Sequence, residues 1–255
     1  MQRNLILIGS GAWGRNYIST LSNFDNISLQ VANRDNWKGL IDQKPDGVLI
    51  ATPPDSHIEI ASYALSKDIP TMIEKPICFS SKELKKLSKF SVPILINYSM
   101  LFTQVFEELI YGISRPKIEM RFYNSGPIRS YSSLWDYGSH VFALLFTLLD
   151  KFKFSIEQTE TQPGQFLYHI VSDEADCWFG NGSDVKVNNY QVEADGLFIS
   201  YDDVSRPKDH KPPLTNALQV FLRCLEGEKD WRMGLDLSLK VTKALETCEK
   251  RLAKL

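Results

Sequence analysis

The sequence lacks any marked excess of charge of one sign. Its 29 Lys and Arg residues against 31 Asp and Glu residues leave a formal net charge of -2 at pH 7. Neither nucleic acid nor a membrane surface is therefore favoured as a partner, because both attract strongly basic patches. The longest apolar run, Val141–Leu149, is far shorter than the ~20 residues that a spanning helix needs. A membrane-spanning helix is not expected.

Cysteine is scarce, and its spacing carries no motif. The four cysteines form no C-x-x-C pair, and the short apolar start lacks the cleavage site of a signal peptide. We therefore expect reduced thiols in a cytoplasmic protein. No cluster of His, Cys or carboxylate residues has the spacing of metal ligands, and no Ser or Cys lies in a G-x-S-x-G setting. Neither a metal site nor a nucleophilic hydrolase is predicted.

Short apolar runs alternate with helical patterns over the first hundred residues. This alternation is typical of a parallel sheet flanked by helices. Ser80 and Glu83 have the spacing of a helix cap before the third helical pattern. The predicted strands are Asn4–Ile8, Ser28–Ala32, Gly47–Ala51, Thr71–Ile73 and Pro93–Ile96, and the predicted helices are Gly14–Leu21, Ser56–Leu65 and Ser81–Phe90.

After Asn97 the pattern changes to strands that follow one another through Gly- and Pro-containing turns. Such strands favour an open, mostly antiparallel sheet. The sequence therefore predicts an α/β protein with two domains, a doubly wound Rossmann domain (1–97) and an α+β domain (98–255). The predicted helices of the second domain are Thr103–Tyr111, Asp136–Leu149, Leu214–Leu225 and Leu235–Ala253, and its strands are Lys117–Tyr123, Phe154–Thr159, Phe166–Ser172, Glu174–Phe179, Asp184–Val192 and Gly196–Tyr201.

A glycine-rich turn, G-x-G-x-x-G, joins the first predicted strand to the first predicted helix. In a dinucleotide fold Gly9 allows the turn, Gly11 lets the pyrophosphate approach, and Gly14 lets the helix pack on the strand. Ala12 and Trp13 complete the loop at the helix start, where free N–H groups attract phosphate. A tight turn without a ligand is the alternative.

The end of the second predicted strand reads VANRD, where NAD-binding folds place a carboxylate for the ribose. Asn33 is neutral, and Arg34 carries a planar cation that suits the 2′-phosphate of NADP. We therefore predict NADP as the cofactor, with NAD as the alternative. Asp35 could pair with Arg34 or itself hold the ribose, and Arg34 could also be a solvated loop charge.

Two further motifs follow predicted strands. Thr52, Pro53 and Pro54 end the third strand and are followed by His57, and Glu74-Lys75-Pro76 ends the fourth. Because open α/β sheets bind ligands at the carboxyl ends of their strands, both motifs are expected to face the same crevice as the glycine loop.

With these motifs in this order, and with WDYGSHVF further along, the sequence resembles the Gfo/Idh/MocA oxidoreductases over nearly its whole length. The resemblance implies hydride transfer between a nicotinamide cofactor and a secondary alcohol or ketone of a sugar, nucleotide sugar or cyclitol. It implies that Lys75 lies beside the nicotinamide, that the bond from Lys75 to Pro76 is cis, and that Asp136 and His140 flank the substrate. A homo-oligomer, dimer or tetramer, is also expected, with the second domain's sheet as its interface.

The residue types suit this chemistry. Histidine titrates in the range that proton exchange with a hydroxyl needs, and a lysine stabilises developing negative charge on the oxygen. Asp136 and His140 are four apart, so on a helix the carboxylate can orient the imidazole. The alternatives are that Asp136 only caps the helix, that His140 is a core residue, that Lys75 is a surface lysine, and that His57 bonds its own turn.

Two departures from the family pattern leave other functions open. Ala143 stands where members commonly carry an aspartate that contacts a polyol, and the segment between Arg34 and Gly47 is short. One alternative is therefore a reductase of a less polar substrate, such as an imine or a linear tetrapyrrole. The other is a dinucleotide-binding regulator without catalysis.

Overall fold

The computed structural model of the protein describes residues 2–112, 117–124, 130–181, 188–194, 197–202 and 211–254. Two compact units make up the chain. The first unit comprises Met1–Tyr98 and Pro213–Leu239, and the second comprises Ser99–Pro212 and Lys240–Leu255.

The first unit contains a five-stranded parallel sheet, as predicted. Its strands lie in the order β2-β1-β3-β4-β5. Their central side chains, such as Leu7, Leu49 and Leu95, are fully buried, because both faces of a parallel sheet are covered. The strands are β1 (Arg3–Ile8), β2 (Ile27–Ala32), β3 (Gly47–Ile50), β4 (Thr71–Glu74) and β5 (Ile94–Asn97).

One α-helix lies between each pair of consecutive strands from β1 to β5. The helix predicted over 81–90 divides into a short α-helix and a 3₁₀ turn at Lys85–Lys89. Its predicted cap is confirmed, since the Ser80 side chain accepts a hydrogen bond from the Glu83 N–H at 3.4 Å. The helices are α1 (Ala12–Leu21), α2 (Trp37–Ile41), α3 (His57–Leu65) and α4 (Ser81–Leu84).

The second unit contains a six-stranded sheet in the order β11-β10-β6-β9-β8-β7. Its strand pairs are antiparallel except for β6 and β9, which run parallel, so the predicted mostly antiparallel sheet is confirmed. Residues 184–187 of one predicted strand lie outside the described residues. The elements are α5 (Gln104–Gly112), β6 (Lys117–Asn124), α6 (Ser133–Leu149), β7 (Ser155–Gln162), β8 (Gln165–Val171), β9 (Ala175–Asn181), β10 (Asn188–Ala194) and β11 (Leu197–Asp202).

Two helices complete the chain, α7 (Pro213–Leu225) and α8 (Asp236–Leu252). The sequence assigned both helices to the second domain, but α7 and the start of α8 belong to the first unit. The reason is the apolar face of α7: Leu218 and Phe221 are fully buried, and the helix contacts α1 and β5. Within the described ranges, no helix is long and apolar enough to cross a bilayer.

Candidate functional site

The glycine loop makes a tight turn between β1 and α1. Gly9 has a φ of +106°, and a Cβ there would lie 2.6 Å from the carbonyl oxygen of Ala51. A Cβ on Gly14 would lie 2.0 Å from the Gly9 carbonyl oxygen, so the helix packs directly on the loop. A Cβ on Gly11 would meet nothing within 4 Å. Two glycines are therefore required by packing, and the third faces open space.

Helix α1 begins directly after this loop with Ala12 and Trp13. Its N-cap residue is Gly11, and neither a side-chain cap nor an acidic residue occupies its first turn. The first N–H groups of the helix, which have no partner within it, and the positive end of its dipole favour an anion at this position.

A cavity of about 860 Å³ lies at the carboxyl ends of β1 and β2. Five of the predicted cofactor residues line it: Gly9, Asn33, Arg34, Thr52 and Pro53. The other predicted residues, all within the described part of the chain, do not line this cavity: Gly11, Ala12, Trp13, Gly14, Pro54, His57, Glu74 and Lys75.

The loop after β2 holds its shape through Asn33. The Asn33 side-chain oxygen accepts hydrogen bonds from the N–H groups of Asp35 (2.9 Å) and Asn36 (3.0 Å), and the Asn36 side chain accepts the Asn33 N–H at 2.8 Å. Asn33 therefore uses its oxygen to shape the turn that carries Arg34. Arg34 is exposed, and no ion pair joins it to Asp35 in the part of the chain that the structure describes.

His57 fixes the loop that precedes it. The histidine is buried at the first position of α3, and its Nε2 lies 2.8 Å from the Thr52 carbonyl oxygen. Burial lowers the pKa of His57, which favours a neutral ring donating its Nε2 proton to that carbonyl. The Ser56 hydroxyl donates to the Thr52 hydroxyl at 2.7 Å. The sequence allowed two roles for His57, a cofactor contact or a hydrogen bond within its own turn. The observed hydrogen bond to the Thr52 carbonyl oxygen is the second of these.

The Glu74 side chain lies in the protein interior. Its Oε1 accepts hydrogen bonds from the Tyr17 hydroxyl at 2.8 Å and from Asn97 Nδ2 at 2.6 Å. Burial raises the pKa of Glu74, while these two hydrogen bonds act in the opposite direction. The next peptide bond, from Lys75 to Pro76, is cis, as the resemblance implies.

In the second unit, Asp136 and His140 both lie on α6 and are buried. Helix α6 begins at Ser133 with Ser132 as its N-cap, three residues earlier than predicted, so Asp136 is not the cap. Because the two side chains are four residues apart in one continuous helix, they share a face. The His140 ring lies 5.7 Å from the ring of Phe122 on β6.

The match to a known family is found in the first unit. Residues 19–91 match the GFO_IDH_MocA family model, described as an oxidoreductase family with an NAD-binding Rossmann fold. Part of the first unit is therefore similar to this oxidoreductase family. A search of curated protein sequences found no match to the chain.

Several solved structures share the fold of the whole chain. A protein described as an oxidoreductase from Magnetospirillum magnetotacticum is 21% identical, with a TM-score of 0.80 over 97% of this chain and 100% of its own. The UDP-N-acetylglucosamine 3-dehydrogenase of Acidithiobacillus ferrooxidans is 13% identical, with a TM-score of 0.84 over 100% and 99%. A biliverdin reductase from Synechocystis, bound to biliverdin and NADP+, is 15% identical, with a TM-score of 0.71 over 98% and 99%. These likenesses show the fold.

The cavity of the first unit is also lined by residues that the sequence analysis did not predict. Trp37 forms part of its wall, and its ring meets the Tyr63 ring edge-on at 5.4 Å. Lys38 lies four residues after Arg34, and its ammonium group is 3.5 Å from a Glu59 oxygen. The sequence shows Arg34 and Lys38 close together after the second strand, and this pair of cations could have indicated that both line the cavity. The lining residues that were not predicted are Ile8, Ser10, Ala32, Trp37, Lys38, Asp55, Ser56, Glu59 and Ile60.

Proposed function

We propose that the protein is an NADP(H)-dependent oxidoreductase that acts on a secondary alcohol or ketone of a sugar, nucleotide sugar or cyclitol. The observation that carries this proposal is the glycine loop: packing requires glycine at positions 9 and 14, whereas Gly11 faces open space. Packing within the protein does not require glycine at position 11, but close approach of a pyrophosphate does.

The residues of the first unit fit a dinucleotide. The open side of Gly11 and the uncapped start of α1 would hold the pyrophosphate, and the cavity beside Asn33 and Arg34 would hold the adenosine end. When bound, the nicotinamide supplies or accepts the hydride.

The remaining chemistry falls to three side chains. His140 would exchange a proton with the substrate hydroxyl, and Asp136, one helical turn away, would orient its imidazole. Lys75 would stabilise negative charge that develops on the substrate oxygen. These roles come from the family resemblance and from the ordinary chemistry of the residue types.

The preference for NADP rests on Arg34, which lines the cavity and has no ion-pair partner within the described ranges. Replacing Arg34 with alanine is expected to raise the dissociation constant of NADPH about tenfold to a hundredfold, because a charge-assisted hydrogen bond contributes about 1.5–3 kcal/mol. Binding of NADH should change little. Fluorescence titrations with both cofactors measure this difference.

The matched control is Arg223→Ala, which removes an exposed arginine of α7 that pairs with Glu228 beyond the end of that helix. It should leave both dissociation constants unchanged. Equal binding of NADPH and NADH by the unaltered protein would contradict the NADP preference, while leaving dinucleotide binding itself intact.

A substrate panel tests the proposed reaction. NADPH-loaded protein is mixed with keto forms of nucleotide sugars, a keto-inositol, biliverdin and a cyclic imine, and the loss of NADPH fluorescence is followed. We expect oxidation with a carbohydrate ketone. NADPH binding without oxidation by any compound would favour the non-catalytic regulator instead.

A reductase of a less polar substrate is the second candidate. Two aromatic rings lie near His140 on the second unit: Phe122 contacts it, and Tyr137 meets Phe122 at 5.6 Å. Ala143 on the same helix is fully buried and brings no carboxylate for polyol hydroxyls. Oxidation of NADPH by biliverdin or the imine alone would favour this candidate.

We also propose that the protein is cytoplasmic and forms a homo-oligomer through the second unit's sheet. Its four cysteines are buried and form no disulfide bond, which suits a reducing compartment. Val171 and Phe198 of the sheet are large exposed hydrophobic residues. Light scattering coupled to gel filtration measures the mass, and a monomer at micromolar concentration would contradict the assembly.

A further inference from the structure

Three buried polar side chains in the first unit form one hydrogen-bonded group, the Tyr17–Glu74–Asn97 cluster. Both Tyr17 and Asn97 donate to the same atom, Oε1 of Glu74, at 2.8 and 2.6 Å. Asn97 Nδ2 also lies 3.2 Å from the Tyr17 hydroxyl oxygen, which closes the group. Each of the three residues is at most 4% exposed. Buried groups of this kind are kept in place because leaving one unpaired is costly.

The cluster joins three separate elements of the first unit. Tyr17 belongs to α1, the helix that starts at the glycine loop, whereas Glu74 and Asn97 are the last residues of β4 and β5. Glu74 and Asn97 stand opposite each other in the parallel strand register. The residue after Glu74 is Lys75, so the cluster lies where α1 meets the strand end that carries the proposed catalytic lysine.

Packing alone does not require these polar groups at this position. The neighbouring strand residues Met72, Ile73, Leu95 and Ile96 are apolar and buried, and a phenylalanine would fill the place of the Tyr17 ring. A carboxylate in such surroundings loses its hydration, which costs free energy. A buried carboxylate at this position therefore needs a structural role that offsets the cost. The three hydrogen bonds provide this role, because they fix the distance between α1 and the end of β4.

We propose that Glu74 is a positioning residue: through Tyr17 and Asn97 it fixes the Lys75 segment relative to the phosphate-binding helix α1. The proposal rests on the proposed function, since it assigns the cluster to cofactor binding and to the placement of Lys75. It goes beyond that function by giving Glu74 an indirect role, in contrast to the direct cofactor contact that the sequence predicts.

Two variants separate the hydrogen bonds from the charge. Tyr17→Phe removes the link between α1 and β4 but keeps the buried ring. Glu74→Gln removes the charge but keeps an amide oxygen that accepts both hydrogen bonds. Thr71→Val is the matched control, because it removes a buried hydroxyl bond (3.1 Å, to the Ile69 carbonyl oxygen) at the opposite end of the same strand.

Backbone hydrogen exchange at residues 75–80 and NADPH titration are measured on all four proteins. In Tyr17→Phe we expect exchange in this segment to rise about tenfold and the NADPH dissociation constant to rise about threefold or more. Thr71→Val should match the unaltered protein in both measurements, although it should lower the melting temperature about as much as Tyr17→Phe. In Glu74→Gln we expect exchange in this segment to stay well below that of Tyr17→Phe, because the amide oxygen still accepts both hydrogen bonds.

Equal exchange in Tyr17→Phe and Thr71→Val would overturn the proposal, since the cluster would then contribute only to general stability. Exchange in Glu74→Gln as fast as in Tyr17→Phe would also overturn it, because the hydrogen bonds to the shared acceptor oxygen would then not be what holds the segment. If the unaltered protein binds no dinucleotide, the proposed function fails, while the exchange measurement still reports on the link between α1 and β4.

Discussion

Replacing His140 with alanine is expected to lower turnover about a hundredfold or more, the usual contribution of a general acid or base. His140 is buried on α6 beside Phe122, and Asp136 precedes it by one turn. Because the proposed dinucleotide residues belong to the first unit and His140 to the second, NADPH affinity should stay nearly unchanged. Turnover is measured with the compound that the substrate panel identifies.

His169→Ala is the matched control for this prediction. His169 lies on the sheet of the same unit, stacked on Trp178 with ring centroids 3.9 Å apart, and bonded to Asp176 at 3.2 Å. Turnover by the His169→Ala variant should equal that of the unaltered protein. If alanine at position 140 lowers the melting temperature, His140→Gln keeps the volume and tests the proton exchange alone. Full turnover in a folded His140 variant would remove this residue from the mechanism.

The largest effect on stability is expected from Gly14→Ala. The new methyl group would lie 2.0 Å from the Gly9 carbonyl oxygen, and both atoms belong to a backbone that cannot move without shifting α1 from β1. Overpacking of this kind costs about 3 kcal/mol or more, which corresponds to a melting temperature lower by roughly 6–12 °C. Circular dichroism during heating measures the shift.

Gly11→Ala is the counterpart, because it should impair binding without impairing the fold. Its methyl group meets no atom within 4 Å, and the residue has ordinary extended backbone angles. Alanine is a poorer N-cap than glycine, which lowers the free energy of unfolding, but it also reduces the entropy of the unfolded chain, which raises it. The net change in the free energy of unfolding is expected to stay within about 1 kcal/mol. NADPH binding should weaken about tenfold or more, since the methyl group would occupy the space proposed for the pyrophosphate. Unchanged binding would show that the phosphates lie elsewhere.

Much of the first unit could be predicted because its signals are local. The strand, glycine turn and helix from Arg3 to Leu21 follow from an apolar run and three glycine positions, and the structure shows that packing requires glycine at positions 9 and 14. The Ser80 cap follows from a four-residue pattern in the same way. Such features depend on neighbours in the chain, so the sequence contains the whole of the information.

Contacts between distant segments were harder to predict. Glu74 follows a buried strand and precedes a lysine and a proline, which made it a cofactor candidate, but the structure turns its side chain toward Tyr17 and Asn97. These partners lie 57 and 23 residues away in the chain. Likewise, nothing near α7 in the sequence indicates that Phe221 packs against Gly47.

The amino-acid sequence alone determined the α/β class, the position of the glycine turn and the family motifs, because periodicity and turn chemistry act over a few residues. Tertiary structure alone decided which unit α7 joins, that His57 holds the Thr52 carbonyl, and that Glu74 lies in a buried cluster. A buried polar group takes whichever partner the packed chain brings within hydrogen-bond distance, and that partner is set by the whole fold.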